Sequence, residues 1–455
     1  MEEAFRRSGL SACGGAFLSA RRRSDAAETT EKWFARGIRI LLRENLKAPA
    51  ASVDRLPAVF FAKGDKAILD QPLAATLHSR VNRAVCPGDP WISATKAALA
   101  YAGEKGLAVV SSYGNVPYSV VCTLALAGPL VVVCPEVLPF MASVTRPEIA
   151  AFLEDLSHSG RILFLSAYSP GRVSDLNTRR IERDRLIAGI STVLLAGEIR
   201  KNGNMERILS EAKARGTKTV HFSGEGETLA NSPAHGEPDK SGRIVTIRPV
   251  AKRKFEHAAP ELEQLAKGSR YLIHYTRACP GPWPGQKILD YCRSLVHGDR
   301  DSTHTAFDTL MRIIEERRVR GGARLTRGNC PVVSFTECVP REVRDLTEWR
   351  PALVRWSFEP YGVAFPLQSL FRMGARPVIY AVEAAYQDLS EELRHLFQLQ
   401  SPSGRTWAPE KEWRIKGDLE ISDSLGREMV IIVRTLDEAR KVEECCGFRT
   451  ALAGL

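Results

Sequence analysis

The chain has 455 residues, with 64 Lys+Arg against 53 Asp+Glu and a formal net charge of +11. At about 150 residues per domain this length makes two or three domains, and 44% hydrophobic with 26% charged residues excludes a disordered, collagen-like or fibrous chain. No run of about 18 apolar residues occurs; the greasiest stretch, 119–133, is broken by Thr123, Gly128 and Pro129, so no membrane-spanning helix is expected.

Residues 1–52 read as a leader with one helical stretch, at 31–43, that precedes or joins the first domain. Arg6, Arg7, Arg21, Arg22 and Arg23 follow Glu2 and Glu3 with no apolar core behind them, which suits a solvated arm and not a secretion signal. From 53 to 255, short apolar runs alternate with helix-period segments. Strands are expected at 58–62, 107–111, 130–134, 162–166, 192–196 and 217–222, with helices at 93–104, 146–156 and 205–214 between them. That alternation predicts βαβ units and a parallel sheet, and strands apolar throughout predict burial on both sheet faces.

A polar stretch at 223–242 reads as an exposed loop or hinge, followed by a short strand at 243–248 and a linker helix within 256–268. From 269 to 455 the character changes. Aromatic-rich, β-prone pieces at 271–275, 332–336, 361–365, 377–382, 412–415 and 429–433 surround helices such as 306–318, which predicts a separate α+β domain. The ten cysteines, at 13, 86, 122, 134, 279, 292, 330, 338, 445 and 446, form no CxxC pair. They read as reduced thiols of a cytoplasmic protein, and Cys and His never cluster at metal-ligand spacing, so no metal is expected.

In open α/β sheets, ligands bind at the carboxyl ends of the strands, where helix N-termini offer free N–H groups to anions. Three polar clusters fall there: His78-Ser79-Arg80; Ser111-Ser112-Tyr113-Gly114-Asn115; and Glu198 with Arg200, Lys201, Asn202 and Gly203 ahead of a helix. Between the last two lies Arg183-Asp184-Arg185-Leu186-Ile187-Ala188-Gly189-Ile190-Ser191. Small hydroxyl and glycine residues with arginines suit a phosphate backbone. The competing reading is that Ser79 and Ser111 cap helices while Arg183 and Arg185 form surface ion pairs.

The order of these pieces resembles the DNA-processing protein family (DprA/Smf), within the Rossmann-like nucleotide-binding domains shared with the LOG family. The likeness rests on Phe60-Phe61-Ala62-Lys63-Gly64-Asp65, His78-Ser79-Arg80, Gly106-Leu107-Ala108-Val109-Val110-Ser111-Ser112, Ser166-Ala167-Tyr168-Ser169-Pro170-Gly171 and the segment from Arg183 to Ser191. It implies that Arg80 contacts single-stranded DNA phosphate, with Ser79, Ser111, Ser112, Gly114, Arg183, Arg185, Gly189, Glu198 and Gly203 around the site; a free nucleotide signal is the rival ligand. The chain also departs from the family. His78 stands where the family has Gly, Asp184 where it has Asn, and the family's later Asp and His are missing. The glycine-rich signature of LOG-type phosphoribohydrolases is absent too, so nucleotide hydrolysis is not expected of this domain.

In the second domain, His274-Tyr275, the segment Val332-Val333-Ser334-Phe335-Thr336-Glu337, Tyr361 and Glu410-Lys411-Glu412-Trp413-Arg414 carry the unusual polar residues. Their order resembles AbiGi-type phage-resistance domains and is also similar to ADP-ribosyltransferases. The latter likeness implies NAD as cofactor, bound by His274 and Tyr275, with Tyr361 stacking. Glu412 would stabilise the ribosyl cation, and Glu410, expected on the same strand face, would orient the acceptor. The structural alternative pairs Glu412 with Arg414 and makes His274 a core histidine. The fold class expected is thus α/β, a Rossmann-like parallel-sheet domain followed by a separate α+β domain. The function expected is binding of single-stranded DNA or a nucleotide, with a C-terminal effector in anti-phage defence or DNA processing. An NAD-dependent ADP-ribosyltransferase regulated by the first domain is the alternative. A protein partner or a second copy of the chain is a further expectation, and a membrane is not.

Overall fold

A strand with no polar side chain has no face to offer water, so it must lie between two layers. Leu130–Cys134 is of this kind and Leu73–Leu77 is nearly so, apolar but for Thr76; both are buried at every position. In the computed structural model, which describes residues 20–49, 52, 54–79, 81, 85–138, 146–168, 176–224, 226–228, 270–299, 302–323, 326–350, 355–400 and 407–453, such strands build the centre of a mixed sheet. The chain divides into two units, the first Met1–Val81, Val85–Ser241 and Gly281–Thr303, the second Asn82–Ala84, Gly242–Pro280 and His304–Leu455. The expected strand at 243–248 and linker helix at 256–268 lie outside the described residues.

The strands of the first unit are β1 (Ile38–Leu42), β2 (Val59–Gly64), β3 (Leu73–Leu77), β4 (Ala108–Ser111), β5 (Leu130–Cys134), β6 (Ile162–Ser166), β7 (Val193–Ala196), β8 (Lys218–Ser223) and β9 (Gly226–Thr228). Among the described residues they form one sheet in the order β1-β2-β6-β5-β4-β3-β7-β8-β9. Neighbours from β6 through β8 pair in parallel, while β1, β2 and β9 add antiparallel edges. The helices are α1 (Ala20–Ala35), α2 (Pro90–Glu104), α3 (Val116–Leu124), α4 (Pro147–Ser157), α5 (Leu176–Ile190), α6 (Asn204–Ala214) and α7 (Ile288–His297).

Helices α2, α3, α4 and α7 pack their apolar stripes on one face, and α5 and α6 pack on the other. After β3 the chain winds to one side through β4, β5 and β6. It then returns by α5 to β7, on the far side of β3, so the winding reverses between β3 and β7. This is the Rossmann-like parallel-sheet architecture expected.

Two local expectations are corrected. The leader helix spans Ala20–Ala35 and not 31–43, ending at Gly37, whose φ is +77°. The residues after it, Ile-Arg-Ile-Leu-Leu, become β1 because β2 offers a full antiparallel ladder, from Ile38 opposite Lys63 to Leu42 opposite Val59; a sheet partner outweighs intrinsic preference. The second correction is α7, which sequence placed with the domain from 269 onward. Its stripe Ile288, Leu289, Tyr291, Cys292 and Leu295 is buried in the first unit's core. Lys96 Nζ donates to the Val296 carbonyl at 2.7 Å, and Lys287 pairs with Asp155 at 3.2 Å.

The second unit has a sheet of β10 (Tyr271–Tyr275), β11 (Val332–Thr336), β12 (Gly362–Pro366), β13 (Arg376–Pro377), β14 (Glu412–Lys416), β15 (Val430–Val433) and β16 (Thr450–Leu452). Among the described residues its order is β13-β14-β11-β10-β12-β15-β16, antiparallel except for the last pair. Helix α8 (Ala306–Glu316) buries Leu310, Ile313 and Ile314 against one face, with Thr305 and Asp308 forming a reciprocal cap at its start. No helix among the described residues is long and apolar enough to cross a membrane.

Leu295 has no exposed surface, so Leu295→Ala should destabilise the first unit by about 2–5 kcal/mol. Denaturant unfolding followed by a probe in that unit checks this; a change below experimental error would place α7 off the core.

Candidate functional site

The reversal between β3 and β7 brings the loops that follow them together. The Gly197 N–H donates to the Leu77 carbonyl at 3.0 Å and the Ser79 N–H to the Glu198 carbonyl at 2.9 Å. The Arg200 N–H donates to Ser79 Oγ at 2.7 Å. Ser79 is therefore a tie between two loops, and Glu198, exposed at its side chain, joins through its main chain. Residue 197 must be glycine, because a Cβ there would stand 1.9 Å from Cε1 of the His78 ring.

Beside this tie, at the ends of β3 and β4, Thr76, His78, Asn115, Pro117, Tyr118 and Val121 line a crevice too tight to admit a water molecule. Thr76 and His78, two positions apart on one strand face, are 1% and 7% exposed. His78 lies edge-on to Trp91 at 5.9 Å between ring centres, and its Nε2 is 2.8 Å from Thr95 Oγ1. Burial pushes its pKa down to about 4, so the ring is neutral at physiological pH. Neither Thr76 Oγ1 nor His78 Nδ1 has a hydrogen-bond partner among the described residues. Such an orphan costs about 1–3 kcal/mol.

The serines expected at the site turn inward. Ser111 and Ser112 are fully buried, and their hydroxyls donate to the carbonyls of Tyr118 at 3.2 Å and Val133 at 2.7 Å. A hydroxyl in a dry layer takes the nearest carbonyl, which removes both from phosphate contact. Gly114 is exposed with φ +94°, and a side chain there would approach Nη2 of Arg146 at 3.9 Å. Asn115 caps α3, its Oδ1 accepting from the Tyr118 N–H at 2.9 Å.

Arg183 is corrected from ligand contact to structure. Its side chain is 5% exposed and its Nη2 lies 2.7 Å from Asp184 Oδ1. Nη1 donates to the Tyr113 carbonyl at 3.1 Å, and the guanidinium stacks 4.5 Å from the Tyr118 ring centre. Tyr118 donates its hydroxyl to the same Asp184 oxygen at 2.7 Å. Burial and the Asp184 charge hold that phenol neutral, well above the usual tyrosine range. Arg185 points outward and is exposed. Gly189 lies where α5 meets Leu56, 3.0 Å from a Cβ placed there. Gly203 is the N-cap of α6, a helix start already served by its own acid, since the Asn202 N–H donates to Glu206. Arg80 lies outside the described residues.

Sequence reading passed over Thr76 and placed Asn115 in the polar cluster without giving it a role. The signals were a lone hydroxyl in the otherwise apolar run Leu-Ala-Ala-Thr-Leu, and an Asn two residues ahead of a proline, a helix-start pattern.

The five residues expected to form a catalytic set in the second unit do not converge. Cross-strand partners share a face, and the pairing of Ile273 with Thr336 and of Thr336 with Glu412 puts Glu412 on the Ile273 face. His274, one residue on, faces the opposite side; it is edge-on to Phe335 and its Nδ1 bonds to the Ser334 carbonyl at 2.8 Å. Tyr275 is buried against Phe358, and the Tyr361 hydroxyl donates to Glu438 at 2.8 Å. Glu410 is not on the strand, because Lys411 at φ +43° turns the chain before β14 begins. Its partner is Arg350, 2.8 Å away, whose guanidinium stacks 4.2 Å from the Trp407 ring centre. Glu412 is held by Arg414 through two bonds, Nε–Oε1 at 2.9 Å and Nη2–Oε2 at 3.2 Å. Arg414 also donates to the carbonyls of His395 and Phe397 and to Gln398.

No family model matches the chain, and no curated protein matches it. Among solved structures, DNA processing protein A (DprA) from Streptococcus pneumoniae shares 19% identity at a TM-score of 0.33, over 46% of this chain and 71% of that one. DNA processing protein A from Helicobacter pylori, whose structure concerns its single-stranded DNA binding mode, shares 17% identity at a TM-score of 0.32, over 40% of this chain and 80% of that one. Overlaps this loose leave function to be argued from the residues of the chain itself.

Asp184→Ala leaves Arg183 as an uncompensated buried charge and should cost about 3–5 kcal/mol in chemical denaturation. His78 makes a second, pH-dependent prediction. Its folded pKa of about 4 lies below the ordinary 6.5, so its contribution is whole above pH 6.5 and is lost as pH falls toward 4, by roughly 3 kcal/mol. Stability measured across that range should be flatter by this amount in His78→Gln than in the wild type.

Proposed function

We propose that the first unit binds single-stranded DNA or a nucleotide at the carboxyl edge of its parallel sheet, and that the second unit is a non-catalytic effector module responding to that ligand. The observation that carries the reading is the reversal between β3 and β7, which gathers the loops after these strands at the carboxyl edge of the parallel sheet. Exposed cations stand on the loops and helix starts of this edge, among them Arg146 beside Gly114 and Arg200 beyond Ser79. Arg80 joins them by the family resemblance. A net charge of +11 favours a polyanion without selecting one.

For the second unit, the closed bonding of Glu412 by Arg414 supports a structural role for that pair. Ligand would act on this unit only through different affinity for two of its states. Phage resistance is the setting that the second resemblance implies, with DNA processing beside it.

The test is titration of the full-length protein with a single-stranded oligonucleotide across a salt series. Affinity should fall log-linearly with salt, and Arg80→Ala or Arg200→Ala should each reduce the slope by about 0.7, the loss of one phosphate contact. Absence of binding at low salt removes nucleic acid as the ligand. Binding indifferent to both arginines moves it away from this edge.

A further inference from the structure

Arg277 follows β10, the central strand of the second sheet, and is fixed from several sides. The Thr276 N–H ahead of it donates to the Tyr361 carbonyl at 2.9 Å, and Thr309 Oγ1 donates to the Arg277 carbonyl at 2.8 Å. Its Nε donates to the Ser357 carbonyl at 2.8 Å, and its guanidinium lies 5.8 Å from the Phe358 ring centre. The Ser357 bond takes the side of the guanidinium and leaves the end, where both Nη point. Neither Nη has a hydrogen bond or an ion pair among the described residues, and neither is sealed from solvent.

Acids stand near enough to be felt, yet none is bonded to Arg277. Burial pushes its pKa below the ordinary arginine value, although Glu410, Glu359 and Glu412 pull the other way. Each of these carboxylates is bonded elsewhere. Glu410 pairs with Arg350 at 2.8 Å, Glu412 is held by Arg414 through both oxygens, and Glu359 Oε1 accepts from the Ala278 N–H at 2.8 Å. Arg183 and Arg414 each have an acid bonded to the guanidinium. Arg277, half-buried and always ionised, has none among the described residues.

The group that would complete it is limited in shape and in charge. The end of a guanidinium matches the two oxygens of a carboxylate, one on each Nη. The surrounding glutamates disfavour a second negative charge, so a phosphate dianion, or the run of phosphates in a nucleic acid, meets repulsion that a lone carboxylate avoids. We propose that Arg277 receives a single carboxylate from outside the chain, supplied by a small carboxylic acid or by the free carboxylate of a peptide. This site lies within the second unit and is independent of the ligand read for the first.

Phenylglyoxal, which condenses with an unpaired guanidinium, tests the site in the full-length wild-type protein, with each arginine followed by peptide mass spectrometry at constant ionic strength. Arg277 should be labelled. Acetate should slow that labelling saturably, about threefold at twice its dissociation constant, and leave the exposed Arg185 unaffected. N-acetyldiglycine and its amide separate the sources. Protection by the peptide acid at lower concentration than acetate names a peptide; protection at equal or higher concentration names a small acid. Failure of Arg277 to react overturns the proposal, because its guanidinium is then already closed. Labelling that neither carboxylate slows overturns it as well, as does protection by the amide equal to that by the acid. Inorganic phosphate protecting at or below the concentration of acetate would make this a phosphate receptor and likewise remove the proposal.

Discussion

A guanidinium taken out of water must be met by an acid and by carbonyls, and Arg183 is met at once by Asp184, the Tyr113 carbonyl and the face of Tyr118. That one requirement ties α5, on one side of the sheet, to the loop after β4 and to the first turn of α3. It also decides the character of the crevice. Arg183, stacked on Tyr118, is neutralised from within, so a neutral imidazole and a threonine line the crevice, and exposed cations such as Arg146 and Arg200 stand at this edge of the sheet. The Asp at 184, which in the sequence looks like a repulsive charge beside a phosphate site, is the acid that makes the buried arginine tolerable.

The second unit repeats the principle with a different result. Arg414 is 3% exposed and satisfied by Glu412, two carbonyls and a glutamine. Both oxygens of the Glu412 carboxylate are bonded to this arginine. A pair of this kind pins β14 to the segment around Phe397, and its presence is explained without any substrate. The separation of His274 from Glu412 by the thickness of the sheet follows from register alone, since a shift of one residue changes the face.

How much of this was legible depended on whether a feature is local. Strands such as Leu130–Cys134 and Ile162–Ser166 were readable to the residue, because an unbroken apolar run between turn signals has few other solutions. The α/β winding followed from their spacing. The inward rotation of Ser111 and Ser112 was not readable, since a serine's direction is set by which carbonyl lies nearest in a neighbouring strand. Glu410 and Glu412 seemed to share a face because alternation was assumed through Lys411, whose left-handed backbone breaks it. Helix α7 was not singled out in the sequence, and nothing local in Ile288–His297 says which sheet its apolar stripe covers.

The position of α7 bears on how the chain is made. The first unit's face over α3 and α4 is closed only when residues 288–297 have left the ribosome, some time after the central strand of the second unit, Tyr271–Tyr275, has emerged. The usual order, in which an N-terminal domain finishes before its successor starts, is therefore unavailable to this protein. During synthesis an apolar seat stays open while the next unit's middle strand waits for partners that are still untranslated, and a fragment cut at the apparent domain border would carry the same open seat permanently.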